Sequence, residues 1–145
     1  MRFKTLFFIL MGVVFLSSIF SAVPARAQSL ETLTQALIQK ESRVDDYAVG
    51  DRLLKNKAYG CLQIRQPAVD DVNRRFGTNY HAQDCLGNRE LSIWIFGKYV
   101  QIYATEKRLG NQPTFENIAR IWNGGPNGFK KSSTIGYWED VQKFL

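Results

Sequence analysis

"SLETLTQALIQKES" occupies residues 29–42 and closes on a glutamate, Glu41, with a serine behind it. Ser29 is a good helix N-cap, and Glu31 puts negative charge in the first turn, where the helix dipole favours it. At about 100° per residue, Leu30, Leu33 and Leu37 share one stripe, and Glu41 falls beside Leu30 on it. The pattern predicts a helix beginning at Ser29 whose last turn aims a carboxyl inward. A carboxyl on an apolar stripe loses hydration, which disfavours its charged form and raises its pKa. A carboxylic acid that is neutral near pH 7 can protonate a leaving oxygen. The competing reading pairs Glu41 with Lys40 or Arg43 at the helix end.

Moving towards the C-terminus, residues 43–58 read as irregular with Gly50 as a turn, and "YGCLQI" (59–64) as a short extended piece. Pro67 suits the first turn of a second helix with Val69, Val72 and Phe76 on its apolar face, ended by Gly77. Asp70, Asp71, Arg74 and Arg75 form the polar face of that helix. Asn88 caps a long helix, "RELSIWIFGKYVQIYATEKRL", apolar nearly all round and therefore central to the core, with Gly110 as its stop. Thr114 caps another helix through Trp122, which turns Phe115, Ile118, Ile121 and Trp122 inward. "NGGPNG" (123–128) breaks the chain, and a last amphipathic helix covers about Thr134 to Phe144. The fold class is mainly α, with at most a very small β element.

Towards the N-terminus, Arg2 and Lys4 precede the apolar run "LFFILMGVVFLSSIF" (6–20) and "PARA" (24–27). This is the pattern of a secretory signal peptide, residues 1–27, cleaved after Ala27. The apolar run is shorter than the roughly 20 residues a spanning helix needs, so no membrane span is expected after cleavage. The remaining residues, 28–145, suit one domain. The chain carries a formal +6, but Arg2, Lys4 and Arg26 leave with the signal, so the mature balance is +3. That mild excess suits an anionic polymer such as a bacterial wall, and no basic run supports nucleic-acid binding. Cys61 and Cys85, in an exported chain, are expected to form a disulfide. His81 is the sole histidine and no short ligand spacing occurs, so neither a metal nor another cofactor is expected.

Four pieces then line up: "ES" (41–42), "YGCLQI" (59–64), "ARIWNGGPNG" (119–128) and Tyr137 in "TIGYWEDV". In order and spacing they resemble the motifs of the soluble lytic transglycosylases, which share the lysozyme-like fold with goose-type lysozymes, over about residues 30–142. The resemblance implies a single lysozyme-like domain, and with the signal peptide the expectation is a monomer in the periplasm or outside the cell. It would cut the β-1,4 bond between N-acetylmuramic acid and N-acetylglucosamine in peptidoglycan and leave a 1,6-anhydro product. Glu41 would be the acid and then the base. Ser42, Gln63 and Asn123 would bind near the reacting sugar, Gly60 would let backbone approach it, and Tyr137 would orient Glu41. Tyr59, Tyr47 and Trp122 are aromatic candidates for a sugar cleft, with core packing the stronger expectation for Trp122.

Two features depart from that family. Cys61 and Leu62 stand where Leu-Met is common, and "VGDRLLKNKAYG" is longer than the expected link. Its Asp51, or else Asp45 or Asp46, opens an alternative: a lysozyme-type hydrolase with a second carboxylate facing Glu41. A third reading is a glycan-binding module that performs no chemistry, and chitin-like glycans are a further possible substrate.

Overall fold

The computed structural model describes residues 25–145, with side chains from Leu30 onward. The expected signal segment, residues 1–27, lies outside the described residues up to position 24. Helix α1 spans Ala25–Ser42. It begins a turn before the expected N-cap Ser29, because Ala25, Arg26, Ala27 and Gln28 all tolerate helix well. Leu33 and Leu37 are fully buried, as the stripe requires.

Arg43 (φ 55°) and Val44 (φ 71°) then turn the chain left-handed and stop α1 directly after Glu41 and Ser42. Such a conformation is uncommon for a β-branched residue. It is held from outside: the Arg89 guanidinium donates to the Val44 carbonyl at 3.1 Å and to Asp46 at 2.9 Å.

Residues 43–58 are more ordered than expected. Strands β1 (Val49–Gly50) and β2 (Ala58–Tyr59) pair antiparallel, Val49 opposite Tyr59 and Gly50 opposite Ala58. Gly50 is therefore a strand residue, and the turn is made by the loop 51–57. A Cβ at Gly50 would stand 2.0 Å from the Gln63 Oε1, so glycine serves close packing here. Tyr59 also bridges to Ile64, closing the tight turn 60–63.

Helix α2 (Gln66–Phe76) runs from Pro67 at its start to a left-handed Gly77, as the sequence predicts. Val69 and Val72 are buried; Phe76 is instead partly exposed, its ring edge-on to Trp94. A short 3-10 turn (Ala82–Cys85) leads to α3 (Arg89–Tyr103), capped by Asn88, whose Oδ1 accepts from the Leu91 N–H at 3.0 Å. The long helix expected to reach Gly110 is two helices. It stops at Tyr103, and α4 (Glu106–Leu109) restarts from Thr105 and ends at Gly110. The bend returns Arg108 over the Tyr103 ring, 5.1 Å from its centroid, and onto the Pro126 carbonyl at 2.8 Å.

Helix α5 (Phe115–Gly124) has a reciprocal capping box between Thr114 and Asn117. After it, the glycine-rich turn packs tightly: a Cβ at Gly128 would lie 1.8 Å from the Arg120 carbonyl oxygen. Helix α6 (Ile135–Gln142) closes the domain against α1 and α5. One apolar core joins Leu33, Leu37 and Ile38 of α1, Val69 and Val72 of α2, Ile95 and Phe96 of α3, and Ile118 and Ile121 of α5. None of the described helices is long and apolar enough to cross a membrane.

Candidate functional site

Glu41 leaves the last turn of α1 at the edge of that core and opens into a cleft of about 290 Å³. The α1 stripe that buries Leu33 and Leu37 delivers the carboxyl half-buried, and α6 supplies its partner. Tyr137 donates its hydroxyl to the Glu41 Oε1 at 2.5 Å. Beside them, Lys40 pairs with Asp140 at 2.5 Å, so two successive α1 residues are tied to one face of α6. Burial pushes the Glu41 carboxyl above its ordinary value; Tyr137, Lys40 and Arg65 pull against that rise, while Asp51 adds to it. Burial, next to Glu41, also holds the Tyr137 phenol far above its ordinary range, so it remains a donor.

More of the cleft lining comes from the hairpin and the turn after it. Asp51, at the end of β1, lines the cleft and is ion-paired with Arg65, which sits at the start of α2. Arg65 also donates to the Asn56 carbonyl at 3.1 Å, fastening both ends of the loop 51–57. Gln63, held at φ 50°, gives its amide N–H to the Gly60 carbonyl at 2.9 Å and lines the same cleft. Asn123 and Gly125 contribute from the end of α5, and Trp122 and Tyr99 from the core side. Trp122 is both wall and core: its ring meets Phe96 and Tyr99 edge-on at 5.1 and 5.6 Å.

Of the residues singled out in the sequence, Glu41, Asp51, Gln63, Asn123 and Trp122 meet in this cleft, and Tyr137 lies directly behind Glu41. Others do not. The Ser42 hydroxyl turns back to the Ile38 carbonyl at 3.2 Å. Gly60 faces away from the cleft, and a Cβ there would come within 2.4 Å of the Cys85 carbonyl oxygen; its left-handed φ of 72° serves that packing. Tyr47 is 73% exposed and packs beside Gly87. Asp45 takes the Tyr47 N–H and Asp46 takes Arg89, so neither confronts Glu41. Tyr59 lines a different cavity, of about 260 Å³, with Lys55, Lys57 and His81.

Arg65 and Tyr99 were not anticipated. Arg65 follows the "YGCLQI" motif by one position, and only the hairpin brings it to Asp51. The expected disulfide is corrected as well: Cys61 and Cys85 are both buried with free thiols. Burial raises the Cys61 thiol and pushes Cys85 up to about 11, with the nearby Ser92 hydroxyl pulling each back down. Buried thiols raised in this way are chemically quiet. Among the described residues, no group of three or more His, Cys, Asp or Glu side chains is placed to hold a metal ion.

The arrangement is a half-buried acid that shares a polar cleft with a second carboxylate and an aromatic side chain. Comparison with known proteins gives this arrangement a context. No family model matches the chain. A lysozyme of Meretrix lusoria is 51% identical over 84 residues, covering 58% of this chain and 65% of that protein. An invertebrate-type lysozyme of Ruditapes philippinarum is 36% identical, covering 58% of each. The chain thus spans about three fifths of the length of these relatives. Among solved structures, the inhibitor-bound Meretrix lusoria lysozyme superimposes with a TM-score of 0.66 at 27% identity, covering 78% of this chain and 88% of that one. Tapes japonica lysozyme gives 0.64 at 26% identity over the same shares.

The fold is therefore lysozyme-like, as expected. The family-level resemblance is corrected: the relatives found are lysozymes, including invertebrate-type ones, and not soluble lytic transglycosylases.

Proposed function

We propose that this chain is a lysozyme, a hydrolase that cuts the β-1,4 bond between N-acetylmuramic acid and N-acetylglucosamine in peptidoglycan. One observation carries the reading: Glu41 is half-buried with a raised pKa, is held by Tyr137, and shares its cleft with a second carboxylate, Asp51. The likeness to lysozymes supports hydrolysis over the 1,6-anhydro chemistry implied by the earlier resemblance. The retained, positioned acid disfavours a module that only binds glycan.

Glu41, whose burial favours its protonated form, donates its proton to the glycosidic oxygen as the bond breaks. Tyr137 fixes which carboxyl oxygen faces the sugar by donating to Oε1. Positive charge develops at the sugar carbon, Asp51 places negative charge on that side of the cleft, and a water then adds to that carbon, giving its proton back to Glu41. Its pairing with Arg65 anchors Asp51 at the loop end and offsets its repulsion of Glu41. Gln63 and Asn123 offer amide groups to sugar hydroxyls and acetamido groups, and Trp122 offers an aromatic edge. The enzyme is exported as residues 28–145 after loss of residues 1–27, and works as a monomer without a cofactor.

The test is the mass of the soluble products from purified peptidoglycan. Hydrolysis gives muropeptides with reducing ends, one water heavier than the anhydro forms. A product pool made of anhydro ends overturns the hydrolase reading and restores the lyase.

A further inference from the structure

The second cavity, of about 260 Å³, lies on the other side of the β-hairpin from the acid. Along β2 the side chains alternate, as a strand requires. Ala58 lines the catalytic cleft, and its neighbours Lys57 and Tyr59 line the second cavity. The same division recurs at the start of α2, where Arg65 belongs to the cleft and Gln66 to the second cavity. One strand thickness thus separates the two.

The lining of this cavity is one-sided in charge. Lys55 and Lys57 contribute ammonium groups, His81, Tyr59 and Gln83 add polar groups, and no carboxylate lines it. Neither lysine has an ion pair or hydrogen bond to another described residue. The nearby arginines, which do not line this cavity, are committed: Arg65 to Asp51, and Arg52 by its Nε to the Val49 carbonyl at 3.2 Å. Gln66 is committed too, to the Ala82 N–H and to Asp70, and so serves as wall. Two uncommitted lysines lining a polar cavity suit a carboxylate-bearing ligand.

We propose that this cavity is an accessory site for the carboxylates of the peptide stems that peptidoglycan carries, with Lys55 and Lys57 as its anion-binding groups. The inference rests on the peptidoglycan reading above. A stem carboxylate held here keeps the wall polymer on the enzyme from the back of the hairpin, while the glycan occupies the cleft in front. Its effect falls on binding of natural wall and leaves the chemical step untouched.

The experiment compares wild type with Lys55→Gln/Lys57→Gln on three substrates: intact peptidoglycan, peptidoglycan with its carboxyls amidated, and glycan strands freed of stems by an amidase. On intact peptidoglycan the double variant should raise KM about fivefold, the size expected of two exposed charge contacts, with kcat unchanged. On amidated walls and stem-free strands the two proteins should be equal. Added salt should narrow the difference on intact walls. Equal KM on intact walls overturns the proposal. So does a difference that persists on stem-free strands, whose remaining carboxylate is the lactyl group, or on amidated walls. Glu41→Gln, run in parallel, keeps the two readings apart: if it is inactive on all three substrates while the lysine variant matches wild type, only the accessory site fails.

Discussion

Tyr137 and Glu41 lie 96 positions apart in the chain and meet at 2.5 Å, the phenol donating to Oε1. Because burial raises the Glu41 pKa and this hydrogen bond lowers it, the bond has two separable consequences. Tyr137→Phe removes the lowering influence, so the alkaline limb of the pH–rate profile, which reports loss of the Glu41 proton, should move to higher pH. Loss of orientation should cut kcat about tenfold or more. A merely structural tyrosine would change the rate without moving the limb.

The same raised pKa has a linkage consequence. A carboxyl whose folded pKa exceeds its unfolded value near 4.5 stabilises the fold less as pH rises through that window and up to the folded value. Glu41→Gln cannot ionise, so its melting temperature should gain on wild type as pH rises above 4.5. Melting curves across that range, with equal gains at every pH as the contrary result, check this.

Asp140 has the opposite sign. Hydrogen bonds from Lys143 and Lys40 hold its pKa down to about 2, below the ordinary 3.8. Its contribution is complete above 3.8 and is lost as pH falls towards about 2. Asp140→Asn should therefore show a shallower fall in melting temperature across that acid window, and the Lys40 tie to α6 should be weaker at neutral pH.

Val44 adopts φ 71° directly after α1, the helix that carries Glu41. A left-handed β-branched residue costs roughly 1–2 kcal/mol, which glycine avoids, although glycine loses part of that gain to the entropy of the unfolded chain. Val44→Gly should stabilise the protein by about 0.5–1 kcal/mol in urea unfolding. Arg89→Ala, which removes the support of the Val44 carbonyl and Asp46, should destabilise it and lower activity by loosening the end of α1.

What the sequence made legible follows from which interactions are local. The α1 stripe, the Asn88 and Thr114 caps and the Gly77 stop are short-range patterns, and the helices they govern formed as expected. The inward aim of Glu41 was readable because helical phase fixes it. Three features were not readable. The break at Thr105 was masked by the apolar periodicity that runs through it, and it accompanies a tertiary contact, Arg108 reaching back to the Pro126 carbonyl. Gly50 and Gly60 look like turn or sugar-approach glycines, but Gly50 is a strand residue packed beside the Gln63 side chain and Gly60 is required by the Cys85 backbone, both neighbours distant in sequence. Arg65 joined the site only because a hairpin of two residues per strand carries Asp51 to it.

The central claim is that Glu41 is the acid that breaks the glycan. The most direct measurement is the rate at which purified protein lowers the turbidity of a peptidoglycan suspension, with Glu41→Gln compared at equal concentration and with its fold verified by circular dichroism. The account predicts that wild type clears the suspension and that Glu41→Gln is slower by about a hundredfold or more, the scale of losing general acid catalysis. Clearing by a folded Glu41→Gln at the wild-type rate contradicts it.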